Sequence, residues 1–253
     1  MDSVRDGEHF LTTAHLVTWL KSYKPEWLAA YMASKNDDDQ AYKSLLVQWC
    51  LRFANRHSYH HRVPCPAKQA QTELLATQET FSDDFNTKFG HLPRHAWFNV
   101  DETPVYYKTE LPTYPEGPVY AVQKNAYMNQ RIWSLYLREV LKPDIDCPSV
   151  VLADNLKCHV SSKSYKIMED ELFCGAYLHP LPANTTRILQ PLDVGVMGPL
   201  KKMCRTEWIK EEKLVTAAEK RLAMIKRSIK VWNDMKQETV RKSFEKALNI
   251  SEI

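Results

Sequence analysis

Apolar residues recur every three or four positions in several parts of the chain, the spacing that places them on one face of an α-helix. Pro25 interrupts the first such pattern and predicts two short helices with a break near Tyr23 and Lys24. The next pattern runs from Tyr42 to Phe53 and predicts one continuous helix face. The helical patterns together cover residues 13–32, 42–53, 68–89, 126–141, 197–233 and 238–248.

Short apolar, β-branched runs lie between the later helices and predict strands. One run, residues 96–100, ends on Asp101, and another, residues 149–153, ends on Asp154. Residues 175–179 predict a third strand. Ligands of open α/β sheets bind beyond the carboxyl ends of the strands, so both acids stand where a site is expected.

A third acid, Asp193, follows a long polar loop at residues 182–191 and is predicted to open a helix. Three converging carboxylates repel one another unless cations lie between them, and hard oxygen ligands select Mg²⁺ or Mn²⁺. Two such ions can hold both the attacking and the leaving oxygen of a phosphodiester. Asp101, Asp154 and Asp193 are therefore the candidate ligands of two Mg²⁺ or Mn²⁺ ions.

The residues around these acids resemble a known family, the DDE superfamily endonuclease domain. This is the transposase domain of pogo/Tigger-like elements, also found in Jerky-like and centromere-protein-B-like proteins, and the resemblance covers roughly residues 95 to 250. It implies an RNase H-like fold, Asp101, Asp154 and Asp193 as a catalytic triad, and DNA strand cleavage and transfer. The motifs that carry it are Asn99-Val100-Asp101-Glu102-Thr103, Asp154-Asn155 with His159, and the run Leu181 to Gly195 with Asn184-Thr185-Thr186 and Gln190-Pro191-Leu192-Asp193 inside it.

The spacing of the first two acids departs from the pattern that the resemblance implies. An RNase H-like domain carries a further β-hairpin between these strands, but only 52 residues separate Asp101 from Asp154, and a loop and a helix use most of them. We therefore expect an α/β, RNase H-like mixed sheet with flanking helices that lacks part of the sheet, with the Asp101 strand at an edge. A transposon-derived DNA-binding protein with an inactive site stays open as the alternative to a working endonuclease.

The N-terminal region, residues 1–66, predicts an all-helical unit that ends in arginine and histidine residues. Arg52 and Arg56 are its candidate DNA contacts, because the segment from Trp19 to His57 resembles, more loosely, the DNA-binding helical region of related transposases. A helical region that only packs is an equally open interpretation. Val63-Pro64-Cys65-Pro66 reads as a rigid linker, so the predicted domains are residues 1–66, a partial helix-turn-helix-like region, and residues 67–253, the endonuclease domain.

The net charge of +3 is distributed unevenly. Residues 200–253 hold 14 Lys and Arg against 8 Asp and Glu, so the basic excess lies at the C-terminal end. Basic helices suit the phosphate backbone of DNA, and Lys201, Lys202 and Arg205 are the candidate contacts there. A solvated helix face explains such a charge run equally well.

Composition limits the remaining classes of protein. The chain has no run of about 18 apolar residues and no signal peptide at its charged start, so we expect an intracellular protein with no membrane partner. DNA as the partner implies a nuclear location, and assembly into a homo-oligomer is left open. Six scattered cysteines indicate free thiols. A different metal-dependent phosphohydrolase is the weakest hypothesis, because the chain has 6 glycines and no phosphate-binding glycine loop.

Overall fold

The structure is a computed structural model that describes residues 12–35, 37–57, 59, 71–102, 114–121, 128–172, 175–212 and 214–250. Its helices are α1 Thr13–Tyr23, α2 Pro25–Ala33, α3 Asp38–Lys43, α4 Leu51–Arg56, α5 Gln71–Phe89, α6 Gln130–Tyr136, α7 Lys142–Asp144, α8 Ser162–Asp170, α9 Thr186–Leu189, α10 Met197–Lys210, α11 Ala217–Asn233 and α12 Gln237–Ala247. Three wider π-helical segments are π1 Ser44–Cys50, π2 Leu137–Leu141 and π3 Leu192–Val196, and a 3₁₀ turn covers Arg94–Ala96. The strands are β1 Trp97–Asn99, β2 Ser149–Ala153 and β3 Ala176–Pro180.

Contacts divide the chain into two compact units. The first combines Met1–Ala67 with Lys201–Asn233, and the second combines Lys68–Leu200 with Asp234–Ile253. The predicted domains assign residues 201–233 to the endonuclease domain, whereas their contacts group them with the N-terminal helices. The division into functional domains at residue 66 stays a prediction, because compact units are defined by contacts and not by activity.

The regular secondary structure of the first unit, over its described residues, consists of helices alone. The predicted break is confirmed: α1 ends at Tyr23, and Pro25 occupies the first turn of α2, where its missing N–H is not needed. Asp37 caps α3, because its Oδ1 accepts a hydrogen bond of 2.6 Å from the backbone N–H of Gln40. The core of the unit consists of Val17, Leu20, Leu28, Leu45, Cys50 and Ile209.

The second unit is built on a parallel sheet with the strand order β1-β2-β3. Trp97 pairs with Val150 and Asn99 with Leu152 in the first ladder, and Ser149 pairs with Ala176 in the second. All five residues of β2 are buried, as expected of a central parallel strand that reads as a continuous apolar run. Within the described residues β1 pairs with β2 alone and therefore forms an edge.

Helices cover both faces of this sheet. Because side chains of a strand alternate, Val151 and Ala153 enter one hydrophobic cluster, while Val150 and Leu152 enter the other. The first cluster includes residues of α6, π2 and α8, and the second includes Phe81, Phe85 and Phe89 of α5, Leu189 and Leu248. The predicted α/β class, with flanking helices and an all-helical N-terminal region, is confirmed.

The sequence also suggests a short strand at residues 118–122, but residues 118–121 form no strand. Residues 103–113 and 122–127, which include part of the region where the missing hairpin would lie, are outside the described residues. No helix of the described part combines the length and the apolar character that a membrane span needs. The cysteines of that part, Cys50, Cys147, Cys158 and Cys204, are free thiols.

Candidate active site

Two of the predicted acids follow neighbouring strands at matching positions. The backbone N–H of Val100 donates to the carbonyl of Leu152 at 3.0 Å, so pairing continues past the last residue of β1. The last pair of the register is Asn99 with Leu152. Asp101 and Asp154 each come two residues after this pair, so both acids follow the carboxyl ends of neighbouring parallel strands.

The segment that carries the third acid is fixed to the end of β1. Gln190, which is 1% exposed, donates from Nε2 to the carbonyl of Val100 at 3.2 Å. The backbone N–H of Leu192 donates to Oδ1 of Asn99 at 2.8 Å. Asp193 follows on π3, with its side chain exposed to solvent. The polar residues of this motif thus serve first to attach its backbone to the strand.

Helix α12 packs closely against π3 and fixes it from the other side. A Cβ atom at Gly195 would lie 2.7 Å from Cβ and 3.2 Å from Cα of Ser243, closer than atoms of a well-packed protein approach. Only a glycine lets the two helical segments meet in this way. Gly195 therefore determines how the segment with Asp193 sits beneath α12.

The loop before π3 is attached to the end of β2. Asn155 donates from Nδ2 to the carbonyl of Leu181 at 2.6 Å, and the backbone N–H of Leu181 donates to the carbonyl of Ala153 at 2.9 Å. Asn184 has φ of 61°, a left-handed conformation that asparagine tolerates better than most residues. The asparagines of the motifs hold the loop in place, so Asn155 acts in the scaffold of the site.

His159 is buried next to the strand-end acids and contacts two carboxylates. Its Nδ1 lies 2.8 Å from Oδ1 of Asp154, and its Nε2 lies 2.7 Å from Oε1 of Glu102. The contact of His159 with Asp154 is a hydrogen bond. The contact of His159 with Glu102 is an ion pair, because Nε2 and Oε1 are close but do not meet the geometry of a hydrogen bond. The ring of Trp133 lies 4.1 Å from the imidazole and closes the site from the interior.

This arrangement changes the pKa of both partners. Burial opposes the charge of His159, but the hydrogen bond to Asp154 and the charges of Glu102 and Asp154 outweigh it and raise its pKa to about 9. The hydrogen bond from His159 lowers the pKa of Asp154 despite partial burial, and the backbone N–H of Leu156 supports the same direction. His159 is thus a cation at neutral pH, inside a cluster of acids.

Glu102 also belongs to the cluster around His159. Alternation along a continuing strand would turn it to the face opposite Asp101. The regular strand ends at Asn99, however, and Glu102 reaches the same histidine as Asp154. The spacing of Asp154 and His159 is the sequence signal for this cluster. The turn between these two residues brings the imidazole back to the end of β2, where it also contacts Glu102.

The three predicted ligands fit divalent ions by their chemistry, but their arrangement is incomplete. Asp101 and Asp154 share the sheet edge, and Asp193 lies on the segment fixed to β1. Across the described ranges, no group of three His, Cys, Asp or Glu side chains is arranged so that it could hold a metal ion. The two carboxylates that contact His159 are those of Asp154 and Glu102, and the site for two metal ions stays a prediction.

The predicted DNA contacts lie on helix surfaces of the first unit. Arg52 and Arg56 are exposed on α4, one helical turn apart. Lys201 and Arg205 are exposed on α10, and Lys202 between them is half-buried. Both sets are accessible, and their role in DNA binding stays a prediction.

Comparisons with known proteins agree with the motifs. The sequence profile of the family "DDE superfamily endonuclease" matches residues 90–244, which contain all three predicted acids. No curated protein matches the chain. A solved structure of a Mos1 transposase paired-end complex with the left transposon end is similar at 14% identity, covering 90% of this chain and 76% of that one, with a TM-score of 0.44. A likeness this weak adds nothing to the family match.

Proposed function

Because the chain belongs to the DDE superfamily endonucleases, we propose that it is a transposase-derived DNA-binding protein that cleaves and transfers DNA strands in a metal-dependent reaction. The motif from Leu181 to Gly195 supports a place among the pogo/Tigger-like members, including the centromere-protein-B-related ones. The proposal includes an RNase H-like arrangement of the sheet and, because DNA is the substrate, a nuclear location.

The observation that carries the proposal is that Asp101 and Asp154 each follow the carboxyl end of one of two neighbouring parallel strands, two residues beyond the paired residues Asn99 and Leu152. Bound Mg²⁺ or Mn²⁺ would supply Lewis-acid stabilisation of the phosphodiester oxygens, the usual role of such ions in strand cleavage. Asp101, Asp154 and Asp193 are the residues proposed to hold them. His159 holds Asp154 through Oδ1, and Oδ2 of that carboxylate accepts no hydrogen bond from the described residues.

Basic surfaces support DNA as the substrate. The C-terminal stretch carries the excess of Lys and Arg, and Arg52 and Arg56 are exposed on α4. Such cations bind the phosphate backbone and release its counterions, so DNA affinity should fall steeply with salt. A salt-independent or absent shift of DNA in a gel would contradict this part of the proposal.

A second function has one observation in its favour. The acids do not gather into a three-ligand group within the described residues, as expected if the protein binds DNA but no longer cleaves it. In that case the positive charge of His159 would permanently balance the negative charges of Asp154 and Glu102, a task that metal ions perform for the acids of a working site.

A nicking assay on supercoiled plasmid with Mn²⁺ separates the two functions. The proposed endonuclease nicks the plasmid, and Asp154→Ala abolishes nicking. Asp146→Ala is the matched control, since Asp146 is an exposed acid just before the opposite end of β2. Absence of any nicking that depends on both Mn²⁺ and Asp154, together with normal DNA binding, would favour the inactive protein.

A further inference from the structure

Glu102 and Asp154 contact different nitrogens of one buried imidazole. Nε2 of His159 lies 2.7 Å from Oε1 of Glu102, and its Nδ1 lies 2.8 Å from Oδ1 of Asp154. Glu102 follows the end of β1, whereas Asp154 follows the end of β2. His159 therefore connects the ends of two neighbouring strands. We call these three side chains the histidine bridge.

The imidazole of the histidine bridge is held firmly in place. The side chain of His159 is 1% exposed, and the ring of Trp133 lies 4.1 Å from the imidazole. The backbone N–H of His159 donates to the carbonyl of Leu156 at 2.8 Å, and Oγ of Ser164 donates to the carbonyl of Cys158 at 2.6 Å. Because both the ring and its backbone are fixed, the carboxylate at one ring nitrogen influences how the other nitrogen faces its partner.

Glu102 contacts the first predicted acid as well as the bridge. Its backbone N–H donates to Oδ1 of Asp101 at 3.0 Å. Its Oε1 is buried at the imidazole of His159, although the side chain as a whole is 26% exposed. Glu102 thus contacts Asp101 directly and Asp154 through one imidazole.

The hydrogen bonds of Asp154 show what the histidine bridge fixes. Oδ1 of Asp154 lies within hydrogen-bond distance of Nδ1 of His159 and accepts from the backbone N–H of Leu156 at 2.9 Å. Two partners on one oxygen set the rotation of the carboxylate. Oδ2 accepts no hydrogen bond from the described residues, so it is the oxygen left for a ligand.

Stability alone does not account for a charged histidine bridge at this place. Taking an imidazole cation and carboxylates out of water is costly, and well-packed apolar residues of similar volume often stabilise a protein as much or more. Groups of this kind are concentrated at functional sites. There, residues that contact a metal ligand from behind determine its orientation and its affinity for the ion.

We propose that Glu102 is a positioning residue of the metal site: it anchors the imidazole of His159, which in turn orients the carboxylate of Asp154 toward a divalent ion. This inference rests on the proposed function and deepens it, because it names a residue that sets the affinity for the metal without binding the metal itself.

The test is titration calorimetry of the full-length protein with Mn²⁺, without DNA. Glu102→Ala removes the anchor and weakens Mn²⁺ binding about 10- to 100-fold, the usual effect of losing a residue that orients a metal ligand. Glu102→Gln has the same reach, and its amide can accept from or donate to Nε2 of His159. This variant therefore retains most of the affinity, although it lacks the charge.

A double-variant cycle separates positioning from direct binding of the metal. His159→Gln removes the imidazole that connects Glu102 with Asp154, so adding Glu102→Ala to it causes little further loss of Mn²⁺ affinity. A Glu102 that bound Mn²⁺ itself would cause the same loss with and without His159. Melting curves show whether each variant folds. Should His159→Gln fail to fold, the comparison of Glu102→Ala with Glu102→Gln decides alone.

Glu169→Ala is the matched control, because Glu169 is an exposed glutamate on α8 outside the histidine bridge. Its Mn²⁺ affinity stays at the wild-type value. Wild-type affinity in Glu102→Ala, an equal loss in Glu102→Gln, or full additivity with His159→Gln would overturn the inference. If Asp154→Asn still weakens Mn²⁺ binding in that case, the proposed metal site survives without it. If the wild type binds no Mn²⁺, both fail.

Discussion

The contact between Gly195 and Ser243 allows a sharp prediction about how the segment with Asp193 is held. In Gly195→Ala the new Cβ would lie 2.7 Å from Cβ of Ser243, in the middle of the contact between π3 and α12. Neither segment can turn a flexible side chain away, because Cα of Ser243 is also close, at 3.2 Å. The helix must move, and Asp193 moves with π3.

The expected loss of stability follows from two opposing effects. Overpacking of this kind costs about 1–3 kcal/mol. Replacing a helical glycine with alanine restores about 0.5–1 kcal/mol through lower backbone entropy of the unfolded chain. The net effect is a destabilisation of up to about 2.5 kcal/mol, centred near 1 kcal/mol, and for a chain of this size each kcal/mol lowers the melting temperature by roughly 2–4 °C.

Urea unfolding followed by circular dichroism measures this loss. Gly198→Ala is the matched control, since no atom lies within 4 Å of the Cβ it would add, and it should be neutral or slightly stabilising. Ser243→Gly removes one of the clashing atoms, so the double variant should recover part of the loss, with a coupling of about 0.5–3 kcal/mol. Equal stability of Gly195→Ala and Gly198→Ala, or strict additivity with Ser243→Gly, would refute the proposed contact.

Two further predictions concern the second unit. The side-chain amide of Gln78 donates to the carbonyls of Lys246 and Ala247 at 3.0 and 2.9 Å, at the C-terminal end of α12. Gln78→Glu removes this donor and places a negative charge there, so we expect the free energy of unfolding in urea to fall by about 1–3 kcal/mol. Wild-type stability of the variant would contradict this prediction. Burial, and then the charge of Lys88, lowers the pKa of His179, so the folded protein keeps this ring neutral while the unfolded chain takes up a proton below its ordinary 6.5. The stability that His179 contributes is therefore present above pH 6.5 and is lost as the pH falls below it. His179→Phe should flatten the decrease of the urea midpoint between about pH 7.5 and 5. An unchanged slope would show that His179 does not cause this decrease.

The sequence predicted the elements that depend on local patterns. The apolar run before Asp154 became the buried central strand, and the proline at position 25 separated two helices. Asn129 and Ser161 cap the helices that follow them, as their side chains suggest. In each case the cause lies within a few residues of the effect, so the order of residues alone is informative.

The site depended on contacts that no local pattern encodes. Strand alternation alone would leave Glu102 outside the site, but alternation holds only while a strand stays regular, and β1 ends at Asn99. The bonds of Gln190 to the end of β1 join residues 90 positions apart. Motif resemblance identified these polar residues, but only the fold shows that they hold backbone segments in place.

Mn²⁺ binding tests the proposed metal site of Asp101 and Asp154 most directly. Titration calorimetry on the wild type should detect binding, and Asp101→Asn and Asp154→Asn should each weaken it at least tenfold. Asp146→Asn, at the other end of β2, should bind as the wild type does. No Mn²⁺ binding by the wild type, or unchanged affinity in both strand-end variants, would contradict a metal site at the carboxyl edge of this sheet.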